Sequence, residues 1–322
     1  MRMSRHLLGV VVVVVVTISV SMAQPTCGGQ QLYLAGCPFF TPQQPYFMSV
    51  SDWPVAPGSD IAIALMNASV DGNGPTPGAS SYVSEGSRAG MPVNFVSSTN
   101  VSNQLVSFDC TYSPLCDNTY NYYPIPGDYV LEGAPNPFGA WDRHLLIVDK
   151  ETCYLHEIFY FQNFLGIYVA VSGISWNLTS TNQSFNSRYG AEAAGLPMVP
   201  GIYTFDEITA GCVPHALRMA FPMVNKSHIW PATRTDGRSN DSRSLPMGAR
   251  LRLKKTFDLG RLDAGARVLA TAMKTFGIMV ADTNGPGAWT LSGEYDLRWN
   301  DTDLATLRQI KPTDLEWVLP PF

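Results

Sequence analysis

Residues 144–161 read HLLIVDKETCYLHEIFYF and carry the strongest secondary-structure signal in the chain. Both halves are rich in β-branched and aromatic residues, and a polar turn at residues 150–152 separates them. This pattern predicts an antiparallel hairpin. Further strands are predicted at residues 91–110, 166–176, 215–223, 227–232, 248–257, 278–281 and 289–292.

Helical signals are fewer. Thr204 and Glu207 have the spacing of a capping box, which predicts a short helix that ends at Gly211. Apolar residues at three- and four-residue steps predict a longer helix over residues 263–276 and another over 302–310. Many strands with few helices predict a mainly β, disulfide-bonded single domain, arranged as a β-sandwich or jelly roll with a few helices.

The composition excludes several classes of protein. Of 322 residues, 45% are hydrophobic and 15% are charged, whereas an ordinary domain carries about 25% charged residues. A disordered chain or a coiled coil needs many charges and few aromatics. The net charge of −5 and the absence of a basic stripe also argue against nucleic-acid binding. With so few charged side chains, other groups must hydrate the surface of the protein.

The N-terminus has the pattern of a secretory signal peptide over residues 1–23. Arg2 and Arg5 precede an apolar run at residues 7–20, and Ser21-Met22-Ala23 supplies small residues before a cut. A signal anchor is the alternative, but the run is shorter than the ~20 residues that a spanning helix needs. We therefore expect an extracellular protein with no membrane attachment, comprising an N-terminal arm with the first strands (24–89) and a main β-rich domain (90–322).

The cysteines and sequons fit this location. An even number of cysteines in a secreted chain predicts disulfides, and fifteen pairings of six are formally open. Local pairing favours Cys27–Cys37 and Cys110–Cys116, which leaves Cys153–Cys212. No CxxC spacing suggests a zinc site, so we expect no metal and no cofactor. Glycans on exposed turns would supply hydration at the sequons Asn67, Asn100, Asn177, Asn182, Asn225, Asn240 and Asn300.

Two polar residues on apolar strand faces are candidate catalytic groups. Glu157 shares its predicted face with Leu155 and Phe159, and burial there would raise the pKa of its carboxyl toward that of a general acid. The alternative is a solvated face or a structural ion pair. His215 has a similar position, and a hydrogen-bonded core histidine is the alternative there. Asp142 could orient His144, although no G-x-S-x-G motif supplies a serine nucleophile.

The C-terminal region combines acids, amides and tryptophans on Gly-rich loops. Asp282 with Trp289 and Trp299 is typical of a sugar-binding cleft, in which carboxylates do acid–base work and indole faces stack on sugar rings. The alternative is a turn-rich loop with solvated acids and core tryptophans. Trp230 could form an aromatic wall of such a cleft or fill the core. The absence of a D-x-[DN]-x-[DN]-G loop makes calcium a weak candidate.

One ordered set of segments extends from residue 123 to residue 299. The segments are Tyr123-Pro-Ile-Pro126, Asp142-Arg-His-Leu-Leu-Ile-Val-Asp149, Cys153-Tyr-Leu-His-Glu157, Ala193-Ala-Gly-Leu-Pro197, Pro200-Gly201, Asp206-Glu207, His215-Ala-Leu-Arg218, Trp230-Pro231, Pro246-Met-Gly-Ala-Arg250, Leu253-Lys254, Phe276-Gly277, Ala281-Asp282, Asp296 and Arg298-Trp299. This set resembles a largely uncharacterised family of secreted, chiefly bacterial proteins. The resemblance implies secretion and assigns no activity. The chain departs from the family pattern at Thr283, which is inserted before Asn-Gly, and at Thr233-Arg234, where a basic pair is expected.

Two functional hypotheses follow. The first is a secreted carbohydrate-active enzyme, a glycoside hydrolase or polysaccharide lyase that acts on extracellular polysaccharide. Glu157 would be its acid/base with His215, Asp142 or Asp282 as partner, and Arg218 or Arg250 would neutralise an acidic sugar. The second is a non-catalytic structural or binding glycoprotein of the extracellular matrix or cell surface. Its N-terminal arm would mediate self-association by pairing with a neighbour's sheet edge.

Overall fold

The protein is mainly β, with 29% strand and 18% helix. The computed structural model describes residues 27, 32–41, 43–78, 83–84, 87–109, 121–136, 142–180, 190–299, 302 and 304–322. The predicted signal peptide lies outside these residues, as do Cys110, Cys116, Asn182 and Asn300. Within the described ranges, no helix has the length and apolar character needed to cross a membrane.

Eighteen strands are described, most of them short. Their bounds are β1 (Tyr33–Leu34), β2 (Cys37–Pro38), β3 (Thr76–Gly78), β4 (Val83–Ser84), β5 (Ser87–Arg88), β6 (Val93–Val96), β7 (Gln104–Phe108), β8 (Tyr122–Tyr123), β9 (Leu145–Asp149), β10 (Tyr154–Phe159), β11 (Gln162–Phe164), β12 (Ile167–Ala170), β13 (Ser172–Asn177), β14 (Leu217–Phe221), β15 (Arg250–Leu253), β16 (Ile278–Thr283), β17 (Thr290–Ser292) and β18 (Leu315–Val318).

The predicted hairpin is confirmed. Strands β9 and β10 pair in antiparallel register with Tyr154 opposite Asp149. They lie in the middle of a four-stranded sheet of order β13-β10-β9-β6. The strand predicted at 166–176 is two strands, because the chain leaves β12 in one sheet and enters β13 in another. The strand predicted at 227–232 is wrong: there the chain turns, and only an isolated bridge joins His228 to Met247.

A six-stranded mixed sheet of order β18-β15-β16-β14-β17-β3 forms the largest layer. Its central strands, β14 and β16, run parallel, and their residues are almost all buried. Central strands buried on both faces have near-continuous apolar sequences, as in residues 278–281. The arrangement as a sandwich or jelly roll stays a prediction.

Three α-helices are described, namely α1 (Ser59–Ser69), α2 (Phe205–Ala210) and α3 (Ala264–Thr275). The predicted capping box is confirmed at α2, where Thr204 Oγ1 accepts from the backbone N–H of Glu207. Helix α3 is also confirmed, and the side chain of Asp263 caps it. Residues 305–309 form a 3₁₀-helix in place of the predicted α-helix. Helix α1 lies in a region where no helix was predicted.

The N-terminal arm packs within its own chain. Phe40 and Tyr46 are buried in the main core, and β3 is the edge strand of the six-stranded sheet. Disulfides join Cys27 to Cys212 and Cys37 to Cys153, so the predicted pairs Cys27–Cys37 and Cys153–Cys212 are wrong. The predicted pair Cys110–Cys116 lies outside the described residues. Each bridge ties the arm to the main domain, because the strands bring together cysteines 185 and 116 residues apart.

An exposed apolar row crosses the four-stranded sheet of order β11-β12-β7-β8. Phe164 pairs with Ile167, and Leu105 pairs with Tyr122. The parallel register of β12 with β7 places Ile167 beside Leu105. All four side chains are more than half exposed. Contiguous exposed apolar residues of this kind often mark an interaction surface.

Candidate functional site

A polar cleft of about 600 Å³ opens beside the ends of β10 and β16. Its walls come from six separate parts of the chain: residues 142–144, 159, 171–172, 190–193, 234–238 and 282–283. The volume is in the range that holds a small ligand. Six titratable side chains line this cleft: Asp142, His144, Arg234, Asp236, Arg238 and Asp282.

His144 is a fixed cation in the cleft wall. Its Nδ1 lies 2.7 Å from the carboxylate of Glu132, and its Nε2 lies 3.1 Å from the carbonyl oxygen of Ala191. Both ring nitrogens therefore face acceptors, which suits the doubly protonated imidazolium. Burial alone would lower the pKa of His144, but the Glu132 carboxylate raises it to about 9. With both nitrogens engaged, His144 is poorly placed to accept a proton from a substrate.

Asp142 lies next to this cation and is exposed to the cleft. Burial by the surrounding walls raises the pKa of its carboxyl, and the carboxyls of Glu132 and Asp282 raise it further. The His144 imidazolium opposes this effect without cancelling it. Asp142 thus combines exposure with a raised pKa, which are the properties of a general acid.

Arg218 lies beneath the cleft surface and connects Glu192 with Asp282 through ion pairs. Its Nε and Nη2 form a two-point ion pair with Glu192 at 2.6 and 2.8 Å, and both side chains are buried. Its Nη2 also lies 2.6 Å from Asp282 Oδ2, and its Nη1 donates to Ser292. Burial alone would lower the pKa of Arg218, but the Glu192 and Asp282 carboxylates raise it above its ordinary value. Arg218 thus places a permanent positive charge against Asp282, at the edge of the cleft.

Residues 190–194, which line part of the cleft, are held in place by hydrogen bonds to their backbone groups. Gly190 adopts a φ of +137°, which favours glycine, and its carbonyl accepts from Ser172 and Arg234. Arg234 also donates from Nε to the carbonyl of Glu192. The N–H of Ala194 bonds to the Ala281 carbonyl on β16. These contacts hold the segment that carries Glu192 and Ala191 in place.

Asp236 and Arg238 lie on the outer rim. Thr283 Oγ1 donates to Asp236, and burial together with Asp282 raises the pKa of the Asp236 carboxyl, while Thr283 and Arg238 lower it. Arg238 is exposed and lines the cleft. Across the described ranges, no carboxylate lies within ion-pair distance of Arg238. Its guanidinium is therefore available to a ligand.

Glu157 lies outside the cleft and is fully buried. Its Oε1 accepts from the backbone N–H groups of Met198 and Val199 at 2.7 and 3.1 Å, and its Oε2 accepts from Trp176 Nε1 at 3.0 Å. Burial raises the pKa of Glu157 to about 7, although these donors oppose the shift. The raised pKa expected from the sequence is present, but the carboxyl is sealed from solvent and joins β10 to β13 and to residues 198–199.

His215 is also placed by structural contacts. Its Nε2 lies 3.2 Å from the carboxylate of Glu207 on α2, and its Nδ1 lies 2.9 Å from the Ala216 carbonyl oxygen. Burial alone would lower the pKa of His215, but Glu207 raises it. His215 does not line the cleft, so the structure separates it from Asp142 and Asp282.

Most of the predicted sugar-binding residues lie in the core. Trp289 is fully buried and donates to the Asn73 carbonyl, and Trp299 packs edge-on against Tyr203 and Phe205. Arg250 is buried and donates to the carbonyls of Pro45 and Phe276. Trp230 is half exposed and packs edge-on against Phe322. Arg218 acts from beneath the cleft rather than in it.

One predicted glycosylation site conflicts with the structure. Asn225 is buried, its amide nitrogen donates to the Ser244 carbonyl, and its Oδ1 accepts from Ser227. A glycan on that nitrogen would replace the hydrogen bond and have no exit. Asn100 and Asn240 are exposed, while Asn67 and Asn177 are partly exposed.

No protein-family model, curated protein or solved structure matches the chain. In the described part of the chain, no group of three or more His, Cys, Asp or Glu residues is arranged to hold a metal ion.

The sequence reasoning missed Glu132, Glu192 and the cleft loop at residues 234–238. The loop had a readable signal, because residues 233–238 (TRTDGR) place alternating charges beside a glycine. Glu192 had no such signal, since its importance depends on its contact with Arg218.

Proposed function

We propose that the protein is a glycoside hydrolase that acts in the cleft, with Asp142 as general acid and Asp282 as its carboxylate partner. The observation that carries the proposal is the contrast between these two carboxyls in one cleft. Asp142 is exposed with a raised pKa, whereas Asp282 is held by the Arg218 guanidinium at 2.6 Å. A carboxyl with a raised pKa beside a second carboxyl that is held in place by an ion pair is the arrangement that glycoside hydrolysis uses.

The chemistry needs no other group. Asp142 donates its proton to the glycosidic oxygen as the bond to the leaving sugar breaks. The Asp282 carboxylate either takes a proton from the water that attacks the anomeric carbon, or attacks that carbon itself to form a glycosyl-enzyme. In the second case water, deprotonated by the Asp142 carboxylate, then displaces Asp282 and releases the sugar. His144 and Arg218 stabilise negative charge around the pair. A lyase would need a free base in this cleft. His144 is not a free base, because both of its ring nitrogens are hydrogen-bonded. The cleft therefore favours hydrolysis over elimination.

The test is the release of reducing ends from a panel of extracellular polysaccharides. We expect Asp142→Asn and Asp282→Asn each to lower kcat by about 10²–10⁴-fold, the usual contribution of acid–base catalysis. Asp128→Asn, an exposed carboxyl that is not part of the cleft lining, is the matched control and is expected to keep full activity. Because Asp282 has a structural partner, urea unfolding of each variant accompanies the assay. Full activity in a folded Asp142→Asn variant would refute the assignment.

The second candidate is a non-catalytic binding glycoprotein, and the exposed row Phe164–Ile167–Leu105–Tyr122 favours it. The buried aromatics of the N-terminal arm count against self-association through that arm. On this candidate, self-association would use the row instead. Sedimentation velocity would then show an oligomer that Leu105→Ser with Ile167→Ser converts to a monomer, while the Asp142→Asn variant changes nothing.

A further inference from the structure

Three of the six titratable side chains that line the cleft are basic. His144 is held as an imidazolium by Glu132, and the guanidinium groups of Arg234 and Arg238 line the same space. Arg234 is anchored to the carbonyls of Gly190 and Glu192, so its position is fixed. Arg238 extends from the opposite end of the same loop. The two arginines therefore present cations along one wall.

Arg238 differs from the other arginines around this cleft in its partners. Arg218 is saturated by Glu192, Asp282 and Ser292. Arg238 is exposed, lines the cleft and, among the residues the structure describes, has no carboxylate within ion-pair distance. The nearby Asp236 carboxyl interacts with it electrostatically, but Asp236 accepts its hydrogen bond from Thr283. The fork of Arg238 can thus bind an incoming anion through two parallel hydrogen bonds.

We propose that the substrate is an anionic glycan and that Arg238 binds the acidic group of the sugar in the cleft. The inference rests on the proposed function and adds the substrate class to it. A carboxylate of a uronic acid and a sulfate ester share the required chemistry, since both present two or more oxygens to a guanidinium. Of the arginines named from sequence for this role, Arg218 and Arg250 are buried, and Arg238 takes their place.

The experiment compares polymers that differ only in the acidic group. Polygalacturonate, alginate and glucuronoxylan are assayed beside the same polymers after carboxyl reduction, which leaves each sugar's stereochemistry intact and removes its charge. A sulfated galactan and its desulfated form make up the second arm. We expect cleavage of at least one anionic polymer, and a loss of at least tenfold in kcat/KM on its neutral counterpart. Cleavage in only one arm identifies the acidic group.

Variants assign the recognition to Arg238. Arg238→Ala is expected to raise KM for the anionic polymer at least tenfold and to abolish the preference for the anionic polymer over its neutral counterpart. Arg238→Lys keeps the charge but loses the forked guanidinium. Its KM for the anionic polymer is expected to lie between those of the wild type and Arg238→Ala. Arg308→Ala, an exposed arginine outside the cleft lining, is the matched control and behaves as the wild type.

The outcomes separate the two proposals. Equal or better cleavage of the neutral counterparts overturns the inference and leaves the proposed hydrolase intact. An unchanged KM for Arg238→Ala on an anionic polymer overturns the assignment to Arg238. If no polymer is cleaved, binding of trigalacturonate, trimannuronate and their reduced forms to the wild type is measured by calorimetry. Binding of an anionic trimer that is lost in Arg238→Ala then supports the inference while the hydrolase proposal fails, and no binding overturns both.

Discussion

Replacing Glu157 by glutamine distinguishes a structural carboxyl from a catalytic one. Glutamine has nearly the same shape, so no cavity forms, and its carbonyl oxygen can still accept from the N–H groups of Met198 and Val199. Its amide nitrogen then faces the indole N–H of Trp176, which loses its acceptor. A buried donor left unpaired costs about 1–3 kcal/mol. We expect this loss in the free energy of unfolding at pH 5, where the wild-type carboxyl is protonated in the folded state.

The pH dependence gives a second readout of the same variant. The folded pKa of Glu157 is raised from 4.5 to about 7, so its contribution to stability is greatest below pH 4.5 and falls as the pH rises to 7. A shift of this size corresponds to about 3 kcal/mol, because each pKa unit is 1.36 kcal/mol. The wild type therefore loses most of its advantage over the glutamine variant at pH 8.

Urea unfolding followed by tryptophan fluorescence at pH 5 and pH 8 measures both effects. Glu151→Gln changes an exposed carboxyl on the same hairpin and is the matched control, with little change expected at either pH. Activity per folded molecule of Glu157→Gln is expected to equal that of the wild type. A variant with unchanged stability and a kcat as low as that of Asp142→Asn would refute this reasoning and return Glu157 to the catalytic group.

Two further predictions concern the pair beside the cleft and the sequons. The pKa of His144 is raised from 6.5 to about 9, so Glu132→Gln is expected to lower the free energy of unfolding by about 3 kcal/mol at pH 6 and by progressively less as the pH rises through 9. Urea unfolding between pH 6 and pH 10 measures this difference between the variant and the wild type. A difference that does not change with pH would contradict the ion pair. Peptide mass spectrometry of protein secreted by eukaryotic cells is expected to find Asn225 unmodified and glycans at Asn100 and Asn240, and a glycan on Asn225 in folded protein would show that the packing described for it is incorrect.

The parts of the fold that sequence predicts correctly are those with local signals. The hairpin around residues 150–152 and the cap of Thr204 on α2 depend on residues within a few positions of one another. The predicted disulfide pairing was wrong because the true partners are far apart in the sequence. Nearest-neighbour pairing assumes that chain distance approximates spatial distance, and the strand order brings Cys37 to Cys153 instead.

The candidate site is predicted only in part for a related reason. Alternation along β10 correctly places Glu157 on a buried face, but it does not show whether a cleft opens there. Asp142 and Asp282 were among the candidates, yet their proximity depends on two sheets and on the segment that carries Glu192. Trp289 and Trp299 looked like sugar platforms because aromatic residues on Gly-rich loops serve either role, and burial alone decides between them.

Arg218 serves the core and the cleft with a single side chain, and this affects how substitutions can accumulate. A change at Arg218 leaves Glu192 as an uncompensated buried charge, so it destabilises the protein whether or not the cleft is in use. Related chains are therefore expected to retain this arginine whatever their function. Asp142 and Arg238 have no comparable role in the core, because both side chains are exposed to the cleft. If the proposed function is correct, those two positions in a related sequence would report whether the chemistry has been kept, whereas Arg218 would report only that the chain still folds.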